Sequence, residues 1–158
     1  MLDTPATQQL IFKGIPFRTF QHTGSVSSLE QAALERSQKP GQVIRSILFR
    51  LSKANYVMVL IAGAQQVSWK VLRTYLGTSR ISMASEGEVL QITGYPIGAV
   101  SPFGLLIPVR ILADESIWLP DEVSIGSGKR GNAIILTRPA LVQALPVIET
   151  GCFCEQEE

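Results

Sequence analysis

Two short stretches hold most of the residues from which chemistry could be built. The first, Thr93 to Gly104 (TGYPIGAVSPFG), packs three glycines and two prolines into twelve positions and carries no charge. Glycine admits positive φ and close backbone approach, while proline fixes φ and lacks an amide donor. Neither a regular helix nor a central strand fits such a segment. It is either a long surface turn or a rigid, uncharged loop whose amides face a ligand. The second stretch, Gly126 to Gly131 (GSGKRG), sets Lys129 and Arg130 among three glycines. Amides of glycine loops can stabilise a developing oxyanion without a charged side chain. The basic pair either contacts an anion or is a pair of solvated turn charges.

Composition narrows the remaining chemistry. His22 is the only histidine, which removes most histidine-dependent catalysis. It sits in a loop, Gln21 to Ser25, where it is either solvated or in contact with a ligand. The two cysteines, Cys152 and Cys154, are too few for a disulfide framework or a four-ligand zinc site. They read as free thiols on an exposed tail, and neither a metal nor an organic cofactor is expected. With 46% hydrophobic and 17% charged residues in 158, an ordered single domain is expected. Four of the thirteen acids lie in the last ten residues, leaving 14 basic against 9 acidic groups over residues 1–148. That mild excess suits a polyanionic partner but does not demand one. No apolar run approaches the ~20 residues of a membrane span, and no signal region opens the chain. A soluble, cytoplasmic protein is therefore expected.

The elements that must position these residues follow from pattern and capping. Thr4 opens a helix over residues 4–13, ended by Gly14. Residues 15–20 alternate as an edge strand, and Ser27 or Ser28 opens a helix that stops before Pro40. Val43 to Leu51 and Tyr56 to Ala62 read as a hairpin turned at Lys53 to Asn55. The second run lacks polar alternation and should be buried on both faces. Ser68 caps a helix through Leu76, whose Trp69, Leu72 and Leu76 form a core stripe. A strand over residues 80–83 leads to the capping box Ser85-Glu86-Gly87-Glu88 and a helix to about residue 92. Strands over residues 107–113, 123–126 and 133–136 precede a last helix capped by Thr137. Residues 1–146 make one domain, and residues 147–158 an acidic, flexible C-terminal tail.

The Gly98-Ala99-Val100-Ser101-Pro102 element (GxxxP), preceded by Thr93-Gly94-Tyr95 and followed by Phe103-Gly104, resembles the loop of the YbaK/prolyl-tRNA synthetase-associated family of aminoacyl-tRNA editing deacylases. Gly126-Ser127-Gly128-Lys129-Arg130-Gly131 is similar to that family's glycine-rich strand connection. The resemblance covers roughly residues 10–146. It implies an α+β fold with a mixed, mostly antiparallel, barrel-like sheet flanked by short helices. It implies a free-standing hydrolase acting in trans on the acceptor end of mischarged aminoacyl-tRNA, with a synthetase as a further partner. Backbone groups and the tRNA's own ribose hydroxyl would then do the work of a nucleophilic triad.

Carried onto this chain, the resemblance implies catalytic roles for Arg45, Gly98 and Ser101. Substrate contacts would come from His22, Thr93, Gly94, Tyr95, Ala99, Val100, Pro102, Phe103, Gly104, Gly126, Ser127, Gly128, Lys129 and Arg130. Ser101 would orient water or a ribose hydroxyl, and Arg45 would point into the pocket. Tyr95 and Phe103 either stack on the terminal adenine or pack the loop onto the core. The chain departs from the family pattern at four places. Arg45 stands where the family has a lysine, Ala133 where some members have an acid, Gly126 where several have a hydroxyl, and Phe20 where an aromatic hydroxyl is usual. Arginine keeps the charge but not the reach or the ability to deprotonate. A module that binds the aminoacyl-adenosine end, or another small ligand, without turnover is the alternative.

Overall fold

A computed structural model describes residues 2–52, 54–146 and 148–156. Among these residues the five α-helices are α1 (Pro5–Phe12), α2 (Leu29–Glu35), α3 (Trp69–Leu76), α4 (Glu86–Thr93) and α5 (Arg138–Ala144). Each starts on a hydroxyl N-cap (Thr4, Ser28, Ser68, Ser85 and Thr137) that accepts a bond from an amide of the first turn. Such caps satisfy donors the helix itself leaves free.

Among the described residues, eight strands form two sheets. One has three strands in the order β1 (Arg18–Gln21), β7 (Asn132–Thr137), β6 (Glu122–Gly126), all antiparallel. The other has five: β4 (Ser82–Met83), β2 (Ile44–Ser52), β3 (Asn55–Ala62), β5 (Arg110–Asp114) and β8 (Glu149–Gly151). The β3–β5 and β5–β8 pairings are parallel. The expected turn residue Lys53 lies outside the described residues.

β3 is the spine of the second sheet. Met58, Leu60 and Ala62 join one core cluster, and Val57, Val59 and Ile61 the other, so the strand is buried on both faces. The same alternation runs along β2. Ile44 and Leu48 face the first cluster, while Ile47 and Phe49 face the second.

Two expectations need correction. The sheets do not close into a barrel among the described residues. Among the described residues a single bridge, from Val43 just before β2 to Ser124 of β6, joins them before they diverge. Between Ile44 and Leu48, the edge of β2 away from β3 pairs with no strand among the described residues, save Leu48 O accepting from Ala84 N (3.0 Å). The tail is also not frayed over its described residues. β8 extends the sheet, Phe153 is buried, and Cys154 is buried with a bridge to Val67. Phe153 fills the second core cluster, its amide donates to Asp114 Oδ1 (2.8 Å), and its carbonyl accepts from Ser68 N (2.7 Å). An aromatic side chain with a place in the core outweighs the acidity of its neighbours. Val147, Glu157 and Glu158 lie outside the described residues.

Candidate active site

A cleft of about 1050 Å³ opens where β2 and β6 part. That is room for a ligand at the upper end of the ~300–1,000 Å³ usual for small-molecule sites. Its floor is Val43 with Ile44 to Leu48 of β2. The glycine loops form one wall, and His22 to Leu29 with Arg36 form the other. Arg36, Arg45 and Arg130 line it, and no carboxylate does among the described residues.

The glycine loops meet backbone to backbone. A Cβ on Gly126 would stand 1.9 Å from the carbonyl oxygen of Val100, so only glycine allows this approach. Gly128 has φ +93°, and its amide donates to Ala99 O (2.9 Å). A Cβ there would come within 2.7 Å of the Tyr95 ring. Gly98, Val100, Gly126 and Arg130 face the cleft. The amides of Gly98 and Val100 have no acceptor among the described residues. Arg130 reaches across to Ile97, its Nε donating to the carbonyl (2.9 Å).

Most other residues singled out from these motifs build the loops and do not line the cleft. Thr93 is buried; its hydroxyl donates to Val89 O (2.6 Å) and accepts from Tyr95 N (3.0 Å). Gly94 is the left-handed cap of α4. Tyr95 is buried and donates to Phe103 O (2.5 Å), and burial pushes its phenol up to about 12. Phe103 belongs to the first core cluster, so neither ring can stack on a base in this arrangement. Ala99 and Pro102 are buried, and Gly104 abuts the start of α1, its amide donating to Gln9 Oε1. Ser101 is buried, its Oγ accepting from Phe103 N (3.2 Å); it closes a turn and touches no cleft surface. Ser127 is buried and ties the second loop through Asn132 O (2.9 Å). Lys129 is exposed and off the cleft.

Arg45 departs from its expected aim. By the alternation of β2 its side chain shares the face of Ile47 and Phe49. There its Nε donates to Gly63 O (2.9 Å) and its Nη2 to Gln65 O. Burial lowers its pKa from the usual guanidinium range. The side chain that shares the cleft face with Ile44 and Leu48 is Ser46, whose Oγ is buried without a partner among the described residues.

His22 is buried on the opposite wall and belongs to a network. Arg36 Nε donates to His22 Nε2 (3.0 Å), which requires the lone pair on that nitrogen. The ring proton therefore sits on Nδ1 and is donated to Glu35 Oε1 (2.8 Å). That bond is the main reason the Glu35 carboxyl is held below the ordinary carboxylate range. Arg36 Nη1 donates to Ser124 Oγ (2.9 Å), while its Nη2 has no partner among the described residues. Burial lowers the Arg36 pKa too. Arg36 and Ser46 were missed from sequence. A period of two along VIRSIL would have separated Ser46 from Arg45; nothing local marks Arg36, whose partners lie in distant segments. No three His, Cys, Asp or Glu side chains are grouped to hold a metal ion among the described residues.

The profile of the aminoacyl-tRNA editing domain matches residues 23–144, and the chain belongs to that family, the YbaK/prolyl-tRNA synthetase-associated domains. It is a family of aminoacyl-tRNA deacylases, part of translation quality control. Among curated relatives, the proline–tRNA ligase of Thermosipho melanesiensis is 30% identical over 113 residues, 72% of this chain and 20% of the ligase. That of Desulforamulus reducens is 28% identical over 156 residues, 95% of this chain and 26% of the ligase. The chain thus spans about a sixth to a quarter of the length of the ligases it matches. The crystal structure of a candidate trans-editing enzyme for prolyl-tRNA synthetase superposes with a TM-score of 0.87 at 21% identity, over 99% of this chain and all of that one. At that identity the likeness speaks for the fold. No helix among the described residues is long and apolar enough to cross a membrane.

Proposed function

We propose that the chain hydrolyses the ester that joins a wrong amino acid to tRNA, acting on tRNA supplied in trans, with the acceptor end in the cleft. One observation carries this reading. Arg36 and Arg130 line the cleft and no carboxylate does among the described residues, beside two loop amides that lack acceptors. Attack of water on the ester carbonyl forms a carbon–oxygen bond and places negative charge on the carbonyl oxygen. The amides of Gly98 and Val100 supply donors for it. Collapse breaks the ester bond, and the ribose oxygen leaves with a proton. Ser46, with its free hydroxyl, is better suited than Ser101 to orient water or a ribose hydroxyl. Arg36 offers Nη2 to a phosphate or carbonyl oxygen, held by His22 and Ser124 on its other donors.

A second reading, binding without turnover, is favoured by one observation: the guanidinium of Arg45, which the resemblance sets where the family has a lysine, is engaged by Gly63 and Gln65. A deacylation panel of mischarged tRNAs, including prolyl-tRNA bearing alanine or cysteine, decides between them. Wild type is expected to turn over at least one. Arg36→Gln should cut kcat/KM about ten- to a hundredfold, the range for losing a charge-assisted hydrogen bond. A melting curve on the same sample separates this from unfolding. Wild-type silence with activity gained in Arg45→Lys would establish the binding reading instead.

A further inference from the structure

A second groove, about 620 Å³, lies beside the cleft and is lined by Arg50, Arg73 and Arg80 with Ser52, Ser79 and Ser82. We propose that it binds the phosphates of the acceptor strand just upstream of the end held in the cleft. This rests on the deacylase reading for its ligand but on separate residues. The arginines come from three elements: the end of β2, α3, and the chain entering β4. The β2–β4 ladder, with Arg50 opposite Ser82, brings them together.

The charge in the groove is available to a ligand. No carboxylate lines it among the described residues, and Arg73 and Arg80 make no ion pair there. Arg50 Nη1 touches Glu88 Oε2 (3.4 Å), but that oxygen also accepts from Tyr56 OH (2.5 Å). Glu88 Oε1 accepts from Ser85 N (3.0 Å), so the carboxylate is shared among several donors. Arg50 keeps Nε and Nη2 without partners among the described residues.

The groove also adjoins the cleft. Ser82 lines the groove and Met83 the cleft; Leu48 lines the cleft and Arg50 the groove. Two residues of strand span roughly 7 Å, so one polynucleotide strand can follow both. Guanidinium and hydroxyl groups, with no aromatic side chain lining the groove among the described residues, match phosphate contact and not base stacking. The groove therefore contributes affinity without reading sequence.

The test measures binding of a deacylated proline tRNA transcript by the full chain across 50–200 mM salt. It compares wild type, Arg73→Gln/Arg80→Gln, and a control that removes two charges elsewhere, Lys13→Gln/Lys39→Gln. Releasing two phosphates should lower the slope of log K against log salt by about 1.4–1.8 in the first variant and leave it in place in the control. Affinity should fall roughly tenfold at low salt, equally for proline and non-proline tRNAs. An unchanged slope, a matching change in the control, or an equal loss for heparin with no preference for tRNA would each overturn the groove. If wild type deacylates while the slope ignores the variant, the groove fails and the deacylase reading stands. If the slope changes but no tRNA is deacylated, the groove stands and the deacylase reading fails.

Discussion

The two walls of the cleft treat their polar groups in opposite ways. On the glycine-loop wall, hydroxyls and rings face inward: Thr93, Tyr95, Ser101 and Ser127 bond to nearby backbone and hold two strands of loop together. What that wall presents is mostly main chain, at Gly98, Val100 and Gly126, together with Arg130. On the α2 wall, His22, Glu35 and Ser124 are arranged around one guanidinium, and that group keeps a donor pair free. The first wall shapes the site by excluding side chains from a close backbone contact. The second brings charge by supporting a side chain. Residue type alone does not distinguish a serine that closes a turn from one whose hydroxyl is left unpaired on the cleft face of a strand, as Ser101 and Ser46 show.

The comparison breaks most sharply at Gly126. Gly126→Ala forces a methyl onto Val100 O, and loops on both sides must move. The expected loss is about 3 kcal/mol, or roughly 6–12 °C in melting temperature, with deacylation lost in whatever remains folded. Calorimetry and turnover on one sample check both. A variant with wild-type stability and turnover would mean the close approach is not needed.

A smaller effect is expected at Ser101. Ser101→Ala leaves the Phe103 amide without its acceptor, at about 1–3 kcal/mol of stability. Turnover per folded molecule should stay near wild type, because the hydroxyl faces the loop. A fall in kcat with stability preserved would return Ser101 to the chemistry.

The smallest effect belongs to the pinned tail. Arg110 bonds Glu149 at 2.6 and 2.7 Å and, with Tyr75, holds its carboxyl at about 2. A carboxyl depressed on folding stabilises the folded state above its ordinary pKa of 4.5, and that contribution fades as pH falls towards 2. The pair is near half-exposed, so Glu149→Gln should lower stability at pH 7 by less than about 1 kcal/mol. Thermal melts of the two proteins should converge as the pH approaches 2.

Much of the fold was legible because it is set locally. The hydroxyl caps at Thr4, Ser28, Ser68, Ser85 and Thr137 mark helix starts through bonds spanning three residues. The unbroken apolar run of β3 marks a strand buried on two faces. Less was legible where distant segments meet. The tail reads as acidic and loose until Phe153 finds its place against α3 and β5. The expected barrel fails because β6 leaves β2 after one bridge, and no local pattern encodes that divergence.

The site divides the same way. By itself, the sequence determined that two glycine-rich segments would exist and that histidine chemistry would be confined to His22. It also determined that Arg45 and Ser46, being adjacent on a strand, would face opposite sides, a consequence of the two-residue period of β structure. Only the tertiary structure decided which of those faces meets the cleft. It alone brought Val100 against Gly126, and Arg36 against His22 and Ser124 across as many as 88 residues of chain. Local rules set what each segment can form; the direction a polar group faces is set by what packs against it.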